Sequence, residues 1–150
     1  MSMVLQMNLA FGRLAIVNRG EAAMRVINAV RELRFDHGVD IRTIALHTTA
    51  ESSAMFVREA DESICIDTDR PEGAGIPYLD LDVLERALIE TRADAAWVGW
   101  GFVAERAEFP ELCERLGVAF IGPPPEVMRR LGDKIEAKLL AERADVPVAP

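Results

Sequence analysis

Four short stretches place polar side chains or glycines directly after apolar runs: Asn18-Arg19-Gly20-Glu21, His47-Thr48-Thr49-Ala50-Glu51, Gly99-Trp100-Gly101 with Glu105 beyond it, and Gly122-Pro-Pro-Pro125. The first offers an amide, a guanidinium and a carboxylate within four residues. As a dinucleotide loop it is poor, because it has one glycine where the pyrophosphate fingerprint needs three, and Glu21 at the helix start would repel a pyrophosphate. Its simplest reading is a tight strand-to-helix turn in which Glu21 favours the helix dipole. Gly99-Trp100-Gly101 lacks the P-loop lysine, but its Trp100 indole could stack on a flat ligand. Asp133-Lys134 is a sharper pair. A lysine at a helix start gains nothing from the dipole, whereas a free helix terminus beside a cation suits a phosphate; a solvated surface lysine explains the pair equally well.

Other chemistries find less support. His37 and His47 have no serine, cysteine or aspartate partner at motif spacing, so no triad is assigned and both read as solvated or hydrogen-bonded histidines. Cys65 and Cys113 show no metal-binding spacing and read as two buried free thiols, and no metal ligand is assigned. Seventeen basic against twenty-five acidic side chains give a net charge of −8, the wrong sign for tracking a phosphate backbone, so nucleic acid is not an expected partner. No apolar run reaches the roughly 20 residues of a membrane helix, and the first residues lack a cleavable leader pattern, so a cytoplasmic protein without membrane contact is expected. With 150 residues, 50% of them hydrophobic and 28% charged, one globular domain is the expectation.

The elements that must position these residues follow from periodicity. Leu14 to Val17 reads as a strand buried on both faces. A helix follows from Glu21, with Ala23, Val26, Ile27, Val30 and Leu33 on its apolar stripe and an end at His37-Gly38. Further strands are predicted at Ile41 to Leu46, Ser63 to Ile66, Ala95 to Val98 and Val118 to Ile121. Predicted helices are a short one capped by Ser52, one begun by Asp80, one with Pro110 at its first position and Gly117 at its end, a turn or two at Glu126 to Leu131, and a last one from Asp133, where Glu136 completes a capping-box spacing. Strand and helix alternate throughout, which predicts an α/β, Rossmann-like parallel sheet flanked by helices, with ligands outside the carboxyl ends of its strands.

Taken together, Leu14-Ala-Ile-Val-Asn-Arg-Gly-Glu-Ala-Ala-Met-Arg25, Ala60-Asp-Glu-Ser-Ile-Cys-Ile66, Gly99-Trp-Gly-Phe-Val-Ala-Glu105 and the stretch from Phe120-Ile-Gly-Pro123 to Met128-Arg-Arg-Leu-Gly-Asp-Lys134 resemble the amino-terminal, pre-ATP-grasp domain of biotin carboxylases. The most specific of these are the Asn18 to Glu21 loop and the Gly132-Asp133-Lys134 helix start. The chain departs from the family pattern where Trp97-Val98 replaces a histidine-proline pair, Trp100 a tyrosine, and Ala104-Glu105-Arg106 a serine-glutamate-asparagine run. The tryptophan in the glycine turn is more similar to multidomain biotin-dependent acyl-CoA carboxylases.

The resemblance implies an enzyme that uses ATP, Mg²⁺ and bicarbonate to carboxylate biotin, which then carries the carboxyl group to an acyl-CoA. It implies that Lys134 contacts ATP, that Gly99, Trp100, Gly101 and Glu105, with Asn18, Arg19, Gly20 and Glu21, line the side of the sheet facing the active site, and that Arg25 lies on a helix used in homodimers. The implied partners are an ATP-grasp region, a biotin carrier and a carboxyltransferase. Residues 1–12 are expected to be an extension, 13–145 the domain and 146–150 the start of a linker toward an ATP-grasp region, so the isolated chain is expected to be inactive. Two alternatives stand beside this reading: the front domain of another ATP-grasp ligase, and a docking or dimerisation module within a multidomain carboxylase.

Overall fold

Five strands, Arg13–Ile16 (β1), Arg42–His47 (β2), Glu62–Cys65 (β3), Ala95–Trp97 (β4) and Ala119–Ile121 (β5), form one parallel sheet in the order β3-β2-β1-β4-β5. The computed structural model describes residues 10–148 apart from 72 and 133. β1 lies at the centre, with Ala15 in register with Ile44 on one side and Ala96 on the other. Leu14, Ala15, Ile16 and Val17 are at most 2% exposed. A strand covered on both faces needs an unbroken apolar run, and that is what the sequence supplies there.

Alternate side chains of β1 go to opposite faces. Ala15 and Val17 join the larger core with Val83, Leu84, Ala87 and Leu88 of α3 (Leu81–Glu90) and Phe109, Leu112 and Cys113 of α4 (Glu108–Leu116). Leu14 and Ile16 pack instead beneath Ala23, Ile27 and Val30 of α1 (Gly20–His37), where Phe56 of α2 (Met55–Glu59) also lies. The chain steps from β1 to β2 to β3 in one direction and then crosses back to β4 on the far side of β1. Right-handed crossovers therefore put α1 and α2 on one face and α3 and α4 on the other. The strand order reverses between β1 and β4, and the loops that leave those strands part company there. After β5 come α5 (Pro125–Gly132) and α6 (Lys134–Arg143), and no helix of the described residues is long and apolar enough to cross a membrane.

The expected α/β architecture is the observed one, with local corrections. Ser52 caps nothing: Thr48 and Glu51 form a reciprocal capping box on a 3₁₀ turn at Thr49–Glu51, and α2 starts later, after Ala54, without a side-chain cap. The Thr-x-x-Glu spacing captures the chain before Ser52 can. Pro110 is the third residue of α4, still within the first turn, where its missing N–H has no intrahelical acceptor to lose. Asp80 does cap α3, accepting from the amides of Asp82 at 3.1 Å and Val83 at 3.3 Å. Gly38 and Gly117, both left-handed, end α1 and α4. Cys113 is buried as expected, and burial pushes its thiol up to about 12. Cys65 is only half-buried and donates to Asp67 Oδ1 at 3.1 Å. The expected capping box at Asp133 lies outside the described residues.

Ion pairs tie the sheet edge at β3 to the rest of the molecule. Arg13 makes two 2.8 Å bonds to the Glu62 carboxylate and also donates to the Thr91 carbonyl, linking β1, β3 and the end of α3. Arg34 of α1 grips Asp61 and the Ile41 carbonyl, while Asp61 Oδ2 accepts from Thr43 N and Thr43 Oγ1, both at 2.7 Å. Burial disfavours the Asp61 carboxylate, but the bonds from Arg34 and Thr43 outweigh it and hold the group well below the usual carboxylate range.

A carboxylate depressed in the fold contributes stability that is fully present above its unfolded pKa, about 3.9 for Asp, and is lost as pH falls toward the folded value. The wild-type unfolding free energy should therefore decline below about pH 5. Asp61→Asn should be less stable at pH 7 by about 1–3 kcal/mol and decline less steeply with acid, as urea titrations between pH 7 and pH 3 would show.

Candidate functional site

The carboxyl ends of β1 and β4 diverge, and one side chain spans the gap. Asn18 is 4% exposed, and its Nδ2 donates to the Val98 carbonyl at 2.7 Å and to the Trp100 carbonyl at 2.8 Å. Its Oδ1 accepts from Arg19 N at 2.8 Å. Both amide hydrogens and the oxygen are thus committed within the protein. Asn18 is a clamp between the two loops, and offers no free amide to a ligand.

Beyond the clamp the backbone takes an unusual path. Gly99, Gly101 and Phe102 all have positive φ, at 62°, 79° and 51°. A Cβ on Gly99 would come within 2.5 Å of the Trp97 ring, so the Trp97 indole lies tight against this turn. Trp100 at its apex is 58% exposed. Phe102 turns inward, its ring stacked on Tyr78 at 4.8 Å with the Arg19 guanidinium 5.3 Å from its centroid. Glu105 ends a 3₁₀ turn at Phe102–Glu105, exposed and without a partner among the described residues.

The remaining expected residues take separate positions. Gly20 begins α1 with φ +57° and open space around it, and Glu21 is held by Arg25 across one helical turn, at 2.9 Å and 2.6 Å. Both side chains of that pair are 70% exposed, so Arg25 lies on the solvent face of α1. Lys134 is the first residue of α6; its side chain lies outside what the structure describes. His47 is buried with Nδ1 2.9 Å from the Thr48 carbonyl, the hydrogen-bonded histidine that was expected.

Three participants had no site role assigned from the sequence: Glu51 and Thr48, which lie in one of the four loops singled out there, and Tyr78. The Glu51 Oε2 accepts from Thr48 N at 3.0 Å, Thr48 Oγ1 at 2.8 Å and Tyr78 Oη at 3.0 Å, and its Oε1 accepts from Arg19 at 3.2 Å. Burial opposes ionisation of Glu51, yet these bonds keep it below the ordinary carboxylate range. Burial, followed by the Glu51 charge, raises Tyr78, so its hydroxyl keeps its one proton, shared between Glu51 Oε2 and the Leu46 carbonyl at 2.8 Å. The Thr48-x-x-Glu51 spacing was a visible signal for the first two residues; Tyr78, just past the stretch Asp67 to Pro77 that is rich in Asp, Gly and Pro, had none. Beside Arg19 and Gly20 an open cavity of about 520 Å³ is lined by Met24, Met55 and Phe56.

This geometry belongs to a known family. Residues 10–128 match the family model described as "Biotin carboxylase, N-terminal domain", and the chain is a member of that family. It is 42% identical over 138 residues to a biotin carboxylase of Pseudomonas aeruginosa, which covers 92% of this chain and 29% of that protein. It is 38% identical over 140 residues to the mouse mitochondrial propionyl-CoA carboxylase alpha chain, covering 93% of this chain and 18% of that one. Among solved structures, the biotin carboxylase domain dimer of Hydrogenobacter thermophilus 2-oxoglutarate carboxylase, in complex with MgADP, ADP and bicarbonate, superposes with a TM-score of 0.80 at 37% identity, covering 93% of this chain and 29% of that chain. The chain thus spans less than a third of these relatives. The family model that matches is the one for biotin carboxylases, not one for another kind of ATP-grasp ligase.

The two glycines separate backbone strain from steric fit. Gly20→Ala should cost only the left-handed penalty, about 1–2 kcal/mol. Gly99→Ala should cost about 1–3 kcal/mol beyond that through collision with Trp97. Urea denaturation of both variants measures the difference.

Proposed function

We propose that this chain is the front domain of an ATP- and bicarbonate-dependent biotin carboxylase that carboxylates biotin for transfer to an acyl-CoA. The observation that carries the reading is the clamped Gly99-Trp100-Gly101 turn, which holds an exposed indole over the carboxyl edge of the sheet. A flat, exposed ring on a fixed backbone can form one wall of a site whose other wall comes from elsewhere. Gly99, Trp100, Gly101 and Glu105 face the site in this reading. Arg19 and Gly20 bound it, Glu21 is neutralised by Arg25, and Asn18 fixes the turn.

ATP and bicarbonate supply the activated carboxyl group. Lys134, at the first position of α6, is the candidate nucleotide contact, since a helix start and a cation both favour phosphate. Among the described residues no three His, Cys, Asp or Glu side chains converge where a metal could sit. In this reading the Mg²⁺ ligands and the clamp over the triphosphate belong to an ATP-grasp region. The biotin carrier and carboxyltransferase complete the assembly. Residues 13–145 form the domain in this reading, with 1–12 as an extension and 146–150 leading to the ATP-grasp region. The onset of β1 at Arg13 and the end of α6 at Arg143 support those bounds. We assign the multidomain acyl-CoA type from Trp100, and a cytoplasmic location.

The isolated chain should cleave no ATP in the presence of biotin and bicarbonate. Grafted in place of the matching region of the Pseudomonas aeruginosa enzyme, it should restore biotin-dependent ATP cleavage, and Lys134→Gln in that graft should lower kcat/KM for ATP by about 10²-fold or more. Turnover by the chain alone would overturn the reading, as would a folded graft that stays inactive. Arg25 is the proposed dimer contact on α1. Sedimentation of the graft should show a dimer that Arg25→Glu, which sets two carboxylates one turn apart, shifts toward monomer.

A further inference from the structure

The Trp100 turn has two legs, and among the described residues a side chain bonds the backbone of the entering leg only. Asn18 secures the entering leg at the Val98 and Trp100 carbonyls. On the leaving leg, Phe102 sits at φ 51°, a left-handed conformation that is strained for a non-glycine residue and persists only when its surroundings hold it. The backbone supplies one bond there, from Ala104 N to the Gly101 carbonyl at 2.9 Å. Its ring packs on the edge of the larger core, and its two contacts that are themselves tied by polar bonds are the Tyr78 stack and the Arg19 guanidinium.

Both of those contacts lead back to one carboxylate. Arg19 reaches Glu51 Oε1 and Tyr78 reaches Glu51 Oε2, while Thr48 pins Oε2 by its amide and its hydroxyl. Glu51 therefore joins the loops that follow β1 and β2 to Tyr78 and, through the stacked ring, to the loop that follows β4. Its side chain is 14% exposed, so little solvent competes for these bonds.

We propose that Glu51 is the positioning residue of the Trp100 turn, fixing its leaving leg through Arg19 and Tyr78 against Phe102. That this turn is an active-site wall rests on the proposed carboxylase reading; the mechanical link does not. Gln at position 51 can still accept from Thr48 and Tyr78, but it turns an N–H₂ toward Arg19, so Glu51→Gln cuts the Arg19 arm selectively.

Backbone ¹⁵N relaxation of the whole 150-residue chain tests the proposal. In the wild type the amides of Gly101 and Phe102 should have order parameters near the rigid value of about 0.85, and in Glu51→Gln they should fall below about 0.6 while those of α3 stay unchanged. Arg19→Gln cuts the same arm from its exposed end and should loosen the same two amides; it serves if Glu51→Gln does not fold. Order parameters that stay rigid in these variants, with changes confined to Thr48 and Thr49, would reduce Glu51 to a cap of its own 3₁₀ turn and overturn the proposal. A turn already mobile in the wild type would overturn it too. Neither result touches the carboxylase reading, which the grafted enzyme decides separately.

Discussion

Parallel strands pair only along their length, so where strand order reverses, nothing in the sheet's own hydrogen bonding joins the two diverging loops. The Asn18 amide supplies that join. Its two donors meet the Val98 and Trp100 carbonyls and its acceptor meets Arg19 N, leaving no polar atom over in a nearly dry position. Without it, two carbonyls at the sheet edge would lose their partners, a cost of about 1–3 kcal/mol each when buried. The positive φ values at Gly99, Gly101 and Phe102 are affordable because this amide and the Tyr78–Phe102 stack define where the turn begins and ends.

Around that clamp the charged residues divide by edge of the sheet. At the amino edge, Arg13 with Glu62 and Arg34 with Asp61 hold the outer strand β3 to the centre. At the carboxyl edge, Glu51 gathers the groups that shape the Trp100 turn. The half-exposed pairs of the first group mainly fix register and add modest stability. The second lies where a ligand would sit in a sheet of this topology, and its geometry bears on function.

The strands were legible to within a residue or so because each is a short apolar run closed by polar or glycine residues, and α1, α3 and α4 because their apolar stripes and terminal glycines or aspartate are local signals. Helix starts were harder. Ser52 lost to Thr48 and Glu51, and Pro110 sits two residues into α4, since capping depends on which side chain reaches an amide first. At the site, the sequence named the loops and read Asn18 to Glu21 first as a tight turn and otherwise as polar groups offered to a ligand; only the approach of Val98 and Trp100, some 80 positions along the chain, shows that the Asn18 amide is used up. The convergence of Glu51, Tyr78 and Phe102 is likewise a product of topology, with no periodicity to announce it.

Asn18 holds the turn that presents Trp100, and the site depends on that hold. Hydrogen exchange of the Asn18 side-chain N–H₂, followed by ¹⁵N-resolved NMR on the purified chain, reads this directly. Both Asn18 protons should be strongly protected, while the Trp100 indole N–H exchanges at the rate of an exposed group. Asn18 protons that exchange like those of a solvated amide would mean the two loops are not joined at the switch point, and the site as described here would not exist.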